Sequence, residues 1–149
     1  MTTDDELLEP DFLELEEVIE LHDEAVRRYG GQQGLRDMGL LESAVAMPQA
    51  GFGGQWFHPD LWSMAAAYAF HIAENQPFLD GNKRTAIGAA LVFLDLNGAS
   101  ITGGDQELYD AIIAVSARTM SKAELATLLQ NLALETQQQL ADVLEGSEE

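Results

Sequence analysis

The chain has 149 residues with 26 acidic and seven basic side chains, which gives a formal net charge of −19, and it contains no cysteine. This length fits one domain that buries about two-thirds of its unfolded surface, so we expect a single domain over residues 1–149. The composition excludes disulfides and thiolate metal sites, and so acidic a surface disfavours direct binding to nucleic acid or anionic membranes. No basic leader precedes an apolar core at the N-terminus, which favours a cytoplasmic protein.

An amphipathic helix is predicted from Leu15 to Arg28, where apolar residues recur at helical spacing until Gly30 stops the pattern. Residues 1–10 contain few apolar side chains and are expected to be frayed. His22 is expected on the polar face of this helix, because no second ligand lies at metal spacing from it.

A shorter helix and a hairpin are predicted next. Asp37 is expected to cap a helix that ends before Pro48. Residues 50–58 alternate glycine with aromatic side chains and predict a small hairpin around Gly53-Gly54. Because an isolated hairpin is marginal in water, this one either awaits a partner strand or covers the core with its aromatic residues, which are Phe52, Trp56 and Phe57.

The next two helices form the apolar centre of the predicted fold. Pro59 suits the first turn of one of them. The other runs from Asn82 to about Leu96 and is apolar nearly all round, which is typical of a buried central helix. Its apolar run from Ala86 to Leu94 is too short to span a bilayer.

The C-terminal part of the chain predicts two more helices. Residues 100–102 are expected to form a brief extended piece, and Asp105 is expected to cap the helix that follows. Ser121 and Glu124 form a capping box at the start of the last helix, which is expected to fray over residues 145–149. The predicted fold class is therefore all-α, a compact bundle of about six helices around a buried central helix, with one small β-hairpin.

Polar chemistry is densest in residues 75–86, which read Asn-Gln-Pro-Phe-Leu-Asp-Gly-Asn-Lys-Arg-Thr-Ala. Pro77 cannot continue the preceding helix, so the backbone must turn before it enters the next one. That next helix begins near Asn82, where unpaired amide N–H groups and the helix dipole favour an anion. Lys83 and Arg84 stand at the same helix start, and together these features predict a phosphate-binding site.

Asp80 lies just before this helix start, where a carboxylate can hold a Mg²⁺ ion that bridges phosphate oxygens. A simpler interpretation stays open at this point. Asp80, Gly81 and Asn82 could form only a turn and an N-cap, with Lys83 and Arg84 as ordinary solvated charges.

The string from Gln76 to Arg84 closely resembles the signature loop of the Fic/Doc family, which reads His-x-Phe-x-Asp/Glu-Gly/Ala-Asn-Gly/Lys-Arg. Only the first position departs, because the family has its catalytic histidine where this chain has Gln76. The resemblance extends from about Phe12 to about Leu132. The Doc (death-on-curing) branch also has counterparts of four further strings, Tyr29-Gly-Gly, Gly34-Leu-Arg-Asp, Gly39-Leu-Leu-Glu and Phe93-Leu-x-Leu-Asn-Gly.

The resemblance implies a Fic-like fold and a role for each residue that matches the motif. Asp80 would hold Mg²⁺, and Phe78 would anchor the loop in the core. The phosphates of ATP would be bound by Gly81, Asn82, Lys83 and Arg84. The catalytic positions would be Arg84 and position 76. The hairpin would be the family's flap, which aligns a target segment by β-augmentation through Phe52, Gly53 and Gly54.

Two positions favour the Doc branch over the AMP-transferring branch of the family. The AMP-transferring branch has glycine at the position of Lys83 and a second arginine at the position of Ile87. The Doc branch resembles a kinase, since it passes the γ-phosphate of ATP to a threonine of elongation factor Tu. The resemblance thus implies a Doc-like toxin with ATP and Mg²⁺ as cofactors, an elongation factor Tu-like protein as substrate and an antitoxin protein in trans. AMP transfer is the alternative.

Gln76 cannot serve as a general base, because a neutral amide does not accept a proton near pH 7. Loss of a positioned base lowers a rate by about 10²- to 10⁴-fold, so we expect this chain to be inactive or strongly impaired. Gln76 is consistent with a natural pseudoenzyme or with an inactivating substitution in a toxin. A catalytically dead module that still binds a nucleotide or a partner is a further alternative.

Overall fold

The computed structural model describes residues 9–147. Within that range the chain forms six α-helices, a short 3₁₀ helix at Met47–Gln49 and a two-stranded antiparallel hairpin. The helices are α1 (Leu15–Tyr29), α2 (Met38–Ala46), α3 (Leu61–Asn75), α4 (Asn82–Leu96), α5 (Asp105–Ser116) and α6 (Lys122–Ser147), and the strands are β1 (Gly51–Phe52) and β2 (Gln55–Trp56). The predicted all-α fold class is confirmed.

Helices α3 and α4 lie side by side at the centre of the bundle. Helix α3 packs against α2, α4, α5, α6 and the 3₁₀ helix, and α4 packs against α1, α3 and α5. The run of alanines in α3 keeps its surface narrow, so neighbouring helices approach it on several sides. Its fully buried residues are Met64, Ala65, Ala66, Ala67, Tyr68, Ala69, Ile72 and Ala73, which makes α3 more deeply buried than α4.

The segment before α1 is tied to the centre of the bundle by two polar contacts. The hydroxyl oxygen of Tyr68 accepts a hydrogen bond of 2.8 Å from the Leu13 N–H, and burial raises the pKa of Tyr68 to about 12. The Asn97 side chain exchanges two hydrogen bonds with the backbone of Asp11, at 2.8 and 3.0 Å. Residues 11–13 are therefore held, whereas residues 1–8, most of the predicted frayed segment, lie outside the described residues.

Most of the predicted helix ends are found, and three details differ. Asp60, not Pro59, precedes the first turn of α3, because its side chain accepts a hydrogen bond of 2.8 Å from the Ser63 N–H. Asp105 is the first residue of α5 and not its cap, because Gly104 takes the cap position with a left-handed φ of 71°. Residues 100–102 form no strand.

The hairpin and the start of the last helix are as predicted. Gly51 pairs with Trp56 and Phe52 with Gln55, which leaves Gly53-Gly54 as the turn. Ser121 and Glu124 exchange the two hydrogen bonds of a capping box at the start of α6. That helix continues to Ser147, beyond the point where fraying is expected. No helix among residues 9–147 has both the length and the apolar composition required to cross a membrane.

Lys122 of α6 and His71 of α3 form a contact between these helices, and His58 lies close to both. Lys122 Nζ lies 3.0 Å from His71 Nε2, and because an ammonium group only donates, the neutral ring of His71 accepts this bond. Burial, the charge of Lys122 and the neighbouring His58 lower the pKa of His71 to about 4. The pKa of His58 is also lowered, chiefly by burial, and its Nδ1 has no hydrogen-bond partner among the described residues. The cluster favours uncharged imidazoles in the folded protein.

We predict that this cluster makes the protein less stable as the pH falls from about 6.5 to about 4. The unfolded His71 ring takes up a proton near pH 6.5, whereas the folded ring stays neutral until about pH 4, so acid favours the unfolded state in this window. Replacement of His71 with glutamine keeps a neutral acceptor for Lys122 and removes the titration. Urea unfolding of both proteins near pH 7 and at about pH 4.5 measures the free energy of unfolding at each pH. This free energy should fall less in the variant than in the parent.

The many carboxylates are common to the parent and His71→Gln, so their titration cancels when the two losses are compared. An equal loss of unfolding free energy in the two proteins would contradict the assignment to His71.

Candidate functional site

The polar loop predicted from the sequence joins α3 to α4. Helix α3 ends at Asn75, and Gln76 follows in a left-handed conformation with φ 47° and ψ 59°. Helix α4 begins at Asn82 after Gly81, which has a φ of 80°. A Cβ at Gly81 would lie 3.2 Å from the Val26 side chain and 3.4 Å from that of His22, so both conformation and space favour glycine there.

His22 packs against the buried side of this loop. The prediction that it lies on the polar face of α1 is wrong. The ring is buried and stacks on Phe78 with centroids 3.8 Å apart and planes 5° apart. Its Nε2 donates a hydrogen bond of 2.7 Å to the backbone carbonyl of Asp80. A signal was present in the sequence, because His22 lies four residues from both Val18 and Val26, the other two buried residues of α1.

Two further contacts hold the loop from within. Phe78 is only 2% exposed and belongs to the hydrophobic core, as the resemblance implied. The Asn82 side chain accepts a bond from the Phe78 N–H and donates one to the Phe78 carbonyl, both at 3.0 Å. That side chain is therefore engaged by the loop, and the backbone N–H groups of α4 are what remain for an anion. Gly81 has no side chain with which to cap them.

The segment Gly34–Asp37 lies along the outside of the loop, a contact that the sequence did not predict. Gly34 accepts a bond from the Leu79 N–H at 3.0 Å. The Pro77 carbonyl accepts bonds from the N–H groups of Arg36 and Asp37, at 2.7 and 3.0 Å. Leu35 and Phe78 form an antiparallel bridge. These pairings fix the backbone of the loop to the start of α2.

A cavity of about 380 Å³ opens at the loop, and it brings together the site residues predicted in the loop and at the start of α4. Ala25, Tyr29, Gly30 and Tyr109 are among the residues that complete its wall. None of the chain's three histidines is among the lining residues. The predicted residues that line it are Gln76, Asp80, Gly81, Asn82, Lys83 and Arg84.

Asp80 presents an exposed carboxylate at the edge of this cavity. Its Oδ2 accepts a hydrogen bond of 2.8 Å from the Gln32 N–H, and a Cβ at Gly31 would lie 3.2 Å from the Asp80 Cβ. The glycine turn after α1 thus closes on one side of the carboxylate. The described residues contain no cluster of three or more acidic, histidine or cysteine side chains suited to a metal ion. A divalent ion at Asp80 would take its other ligands from water and phosphate, which fits the preference of Mg²⁺.

Lys83 and Arg84 have no acidic partner in the described part of the chain, although the protein carries 26 acidic residues. The Arg84 guanidinium lies 3.7 Å from the centre of the Tyr29 ring and 5.1 Å from that of Tyr109. Stacking orients a guanidinium while leaving its N–H donors free at the edge of the plane. Two such cations beside free helix N–H groups form a place where an anion can bind.

The hairpin lies apart from the lining of the cavity. Phe52 is 83% exposed, and Phe57 is also exposed, so neither covers the core. Trp56 instead packs on Phe12, with ring centroids 5.4 Å apart. Gly53 and Gly54 form the exposed tip. The interpretation as a capping loop therefore holds only for Trp56.

Known proteins resemble this chain over most of its length. The model of the Fic/DOC family matches residues 12–94. The protein named Toxin Doc from Mycolicibacterium smegmatis is 48% identical over 73 residues, which are 49% of this chain and 56% of that protein. The protein named Protein kinase doc from Escherichia phage P1 is 35% identical over 117 residues, 78% of this chain and 91% of that protein.

We predict that ATP with Mg²⁺ binds at the start of α4 and that a Lys83→Ala, Arg84→Ala double variant binds it at least about tenfold more weakly. Each cation offers charge-assisted hydrogen bonds to phosphate, which are the stronger class of such bonds. Titration calorimetry measures the difference. An Arg27→Ala, Arg118→Ala double variant is the matched control, since it removes the same charge from residues outside the cavity lining. Equal affinity in the parent and the Lys83→Ala, Arg84→Ala variant would show that the site is misplaced.

Proposed function

Because the chain belongs to the Fic/Doc family, we propose that it is a Doc-like toxin of a toxin–antitoxin pair, disabled at one residue. The reaction that its site is built for is transfer of the γ-phosphate of ATP to a protein hydroxyl. The observation that carries this proposal is a pair of cations, Lys83 and Arg84, that share one cavity with Asp80 and position 76. Within residues 9–147 neither cation has an acidic partner. The names of the two relatives support it, since one is a toxin and the other a protein kinase.

The proposed mechanism rests on positioning and charge, which dominate phosphoryl transfer. The N–H groups at the start of α4 and the side chains of Lys83 and Arg84 hold and neutralise the phosphates of the nucleotide. Tyr29 and Tyr109 orient Arg84 through their rings. Asp80 is the side chain that would hold Mg²⁺, and the ion would supply positive charge next to the phosphate oxygens.

The target hydroxyl must give up its proton to a group at position 76. Gln76 lines the cavity, so its amide can hydrogen-bond a hydroxyl there, but it does not take up the proton. His71 does not replace it, because His71 bonds Lys122 at 3.0 Å and is absent from the cavity lining. His22 is buried under the loop with its Nε2 engaged by Asp80. The proposed site therefore has the groups for phosphoryl transfer except a base.

Transfer of phosphate is favoured over transfer of AMP by two residues. A lysine at position 83 leaves less room beside the helix N-terminus than the glycine of the AMP-transferring branch does. That branch also carries a second arginine one turn along the helix, where this chain has the apolar Ile87. AMP transfer is nevertheless the second candidate, since the remaining motif residues are shared by both branches.

The proposed partners are proteins and not nucleic acid. The substrate is an elongation factor Tu-like protein in the cytoplasm, by analogy with the Doc branch. Self-inhibition in many Fic proteins depends on a Ser/Thr-x-x-x-Glu-Gly/Asn string, which this sequence lacks. Control is thus assigned to an antitoxin protein in trans, a segment that folds on binding. A module that binds nucleotide but transfers nothing is the competing class.

We predict that the parent leaves bacterial growth unchanged and that Gln76→His inhibits it. Histidine supplies a proton acceptor that titrates near neutral pH at the one position where it is missing. Inducible expression of both proteins, followed by optical density, measures the effect.

Gln76→Asn is the matched control, because it disturbs the same position without adding a base. Growth that is equal in cells expressing Gln76→His and Gln76→Asn would favour the binding module over the toxin.

A further inference from the structure

Arg36 bonds three consecutive backbone carbonyls at the end of α3. Its Nη2 donates to the Asn75 carbonyl and its Nε to the Gln76 carbonyl, both at 2.7 Å. Its backbone N–H donates to the Pro77 carbonyl, also at 2.7 Å. Carbonyls at a helix C-terminus have no partner within the helix and carry the negative end of its dipole, so a guanidinium is well suited to them.

The two guanidinium bonds fall on the two peptide groups that flank residue 76. The Asn75 carbonyl belongs to the peptide before the Cα of Gln76, and the Gln76 carbonyl belongs to the peptide after it. The orientations of these two planes define φ and ψ of residue 76. That residue has a left-handed φ of 47°, which a side chain with a Cβ seldom adopts without support. One guanidinium therefore holds both halves of the unusual conformation.

Arg36 acts on the backbone of residue 76 and not on the cavity itself. Arg36 is absent from the lining of the cavity, whereas Gln76 is one of the lining residues. Arg36 also forms no ion pair with an acidic side chain in the described residues. Its charged group is thus committed to the loop backbone, at the two peptide groups on either side of residue 76.

We infer that Arg36 is a positioning residue for the proton acceptor at position 76, an inference that rests on the proposed phosphotransferase function. The planar fork of arginine reaches both carbonyls at once. Lysine keeps the charge but has a single ammonium group, so it can support one carbonyl well and the other less well. Alanine supports neither.

The kinetic test uses Gln76→His as the parent enzyme and adds Arg36→Ala or Arg36→Lys. Misplacement of a reacting group by about 1 Å costs on the order of 10²-fold in rate, so we expect Arg36→Ala to lower kcat by roughly 10- to 100-fold. The KM for ATP should stay within about twofold, because the phosphate ligands lie on α4. Arg36→Lys should recover part of kcat. The control for the loss of one positive charge is Arg27→Ala. Arg27 is exposed and pairs with Glu24.

A second readout does not depend on activity. Amide hydrogen exchange in the Gln76 protein reports on the Leu79 N–H, which bonds Gly34, and on the Phe78 N–H, which bonds Asn82. Arg36→Ala should raise exchange at both and leave the Thr85 N–H within α4 unchanged. If Arg36→Ala does not fold, the kinetics and the hydrogen exchange are measured on Arg36→Lys and Arg36→Gln instead.

The outcomes separate this inference from the proposed function. If Gln76→His transfers no phosphate, the proposed function is refuted. If Arg36→Ala still shows faster exchange at the Phe78 and Leu79 N–H groups, Arg36 remains the residue that holds the loop. Unchanged exchange would overturn the inference. So would a kcat within about twofold of the Arg27→Ala control in an active enzyme, or a loss that appears in KM for ATP alone.

Discussion

The site depends on one backbone constraint, which is that the chain must leave α3 through a left-handed residue and re-enter a helix six residues later. Left-handed backbone at a residue with a Cβ is unfavourable in isolation, so the surroundings must impose it. Arg36 does so by bonding the carbonyls of Asn75 and Gln76. His22 and Asn82 hold the later part of the loop, at Asp80 and Phe78. The result is a fixed loop that brings Gln76 and the start of α4 to one cavity.

Local chemistry explains why the loop and the helices could be predicted while the supports of the loop could not. Helix ends such as Asn82 follow from turn residues and apolar periodicity within a few positions. The bond from Arg36 to Gln76 joins residues 40 apart, and no local pattern encodes it. His22 lies between these cases, because helical spacing marks it as buried but only the fold reveals Phe78 as its stacking partner. A polar residue type predicts a polar face, but a buried polar side chain whose hydrogen bonds are satisfied departs from that rule.

Electrostatics explains how so acidic a protein can be suited to an anionic ligand. The net charge of −19 repels anions at long range, but salt screens that repulsion beyond about 8–10 Å. At contact distance, free helix N–H groups and the cations Lys83 and Arg84 dominate, and no acidic side chain in the described residues neutralises them. Asp80 is the acidic side chain among the residues that line the cavity, and it fits the role of a Mg²⁺ ligand. We propose that this arrangement selects phosphate carrying a metal ion over a simple anion.

The central claim is that the chain retains a complete phosphoryl-transfer site apart from a base at position 76. The most direct measurement incubates purified Gln76→His with elongation factor Tu and ATP labelled on either the γ- or the α-phosphate, beside the parent protein. The account predicts γ-label on the factor with Gln76→His, at least about 10²-fold less with the parent, and no α-label. Transfer of the α-label would assign the site to AMP transfer. Transfer of neither label to any protein of a matched lysate would contradict the account.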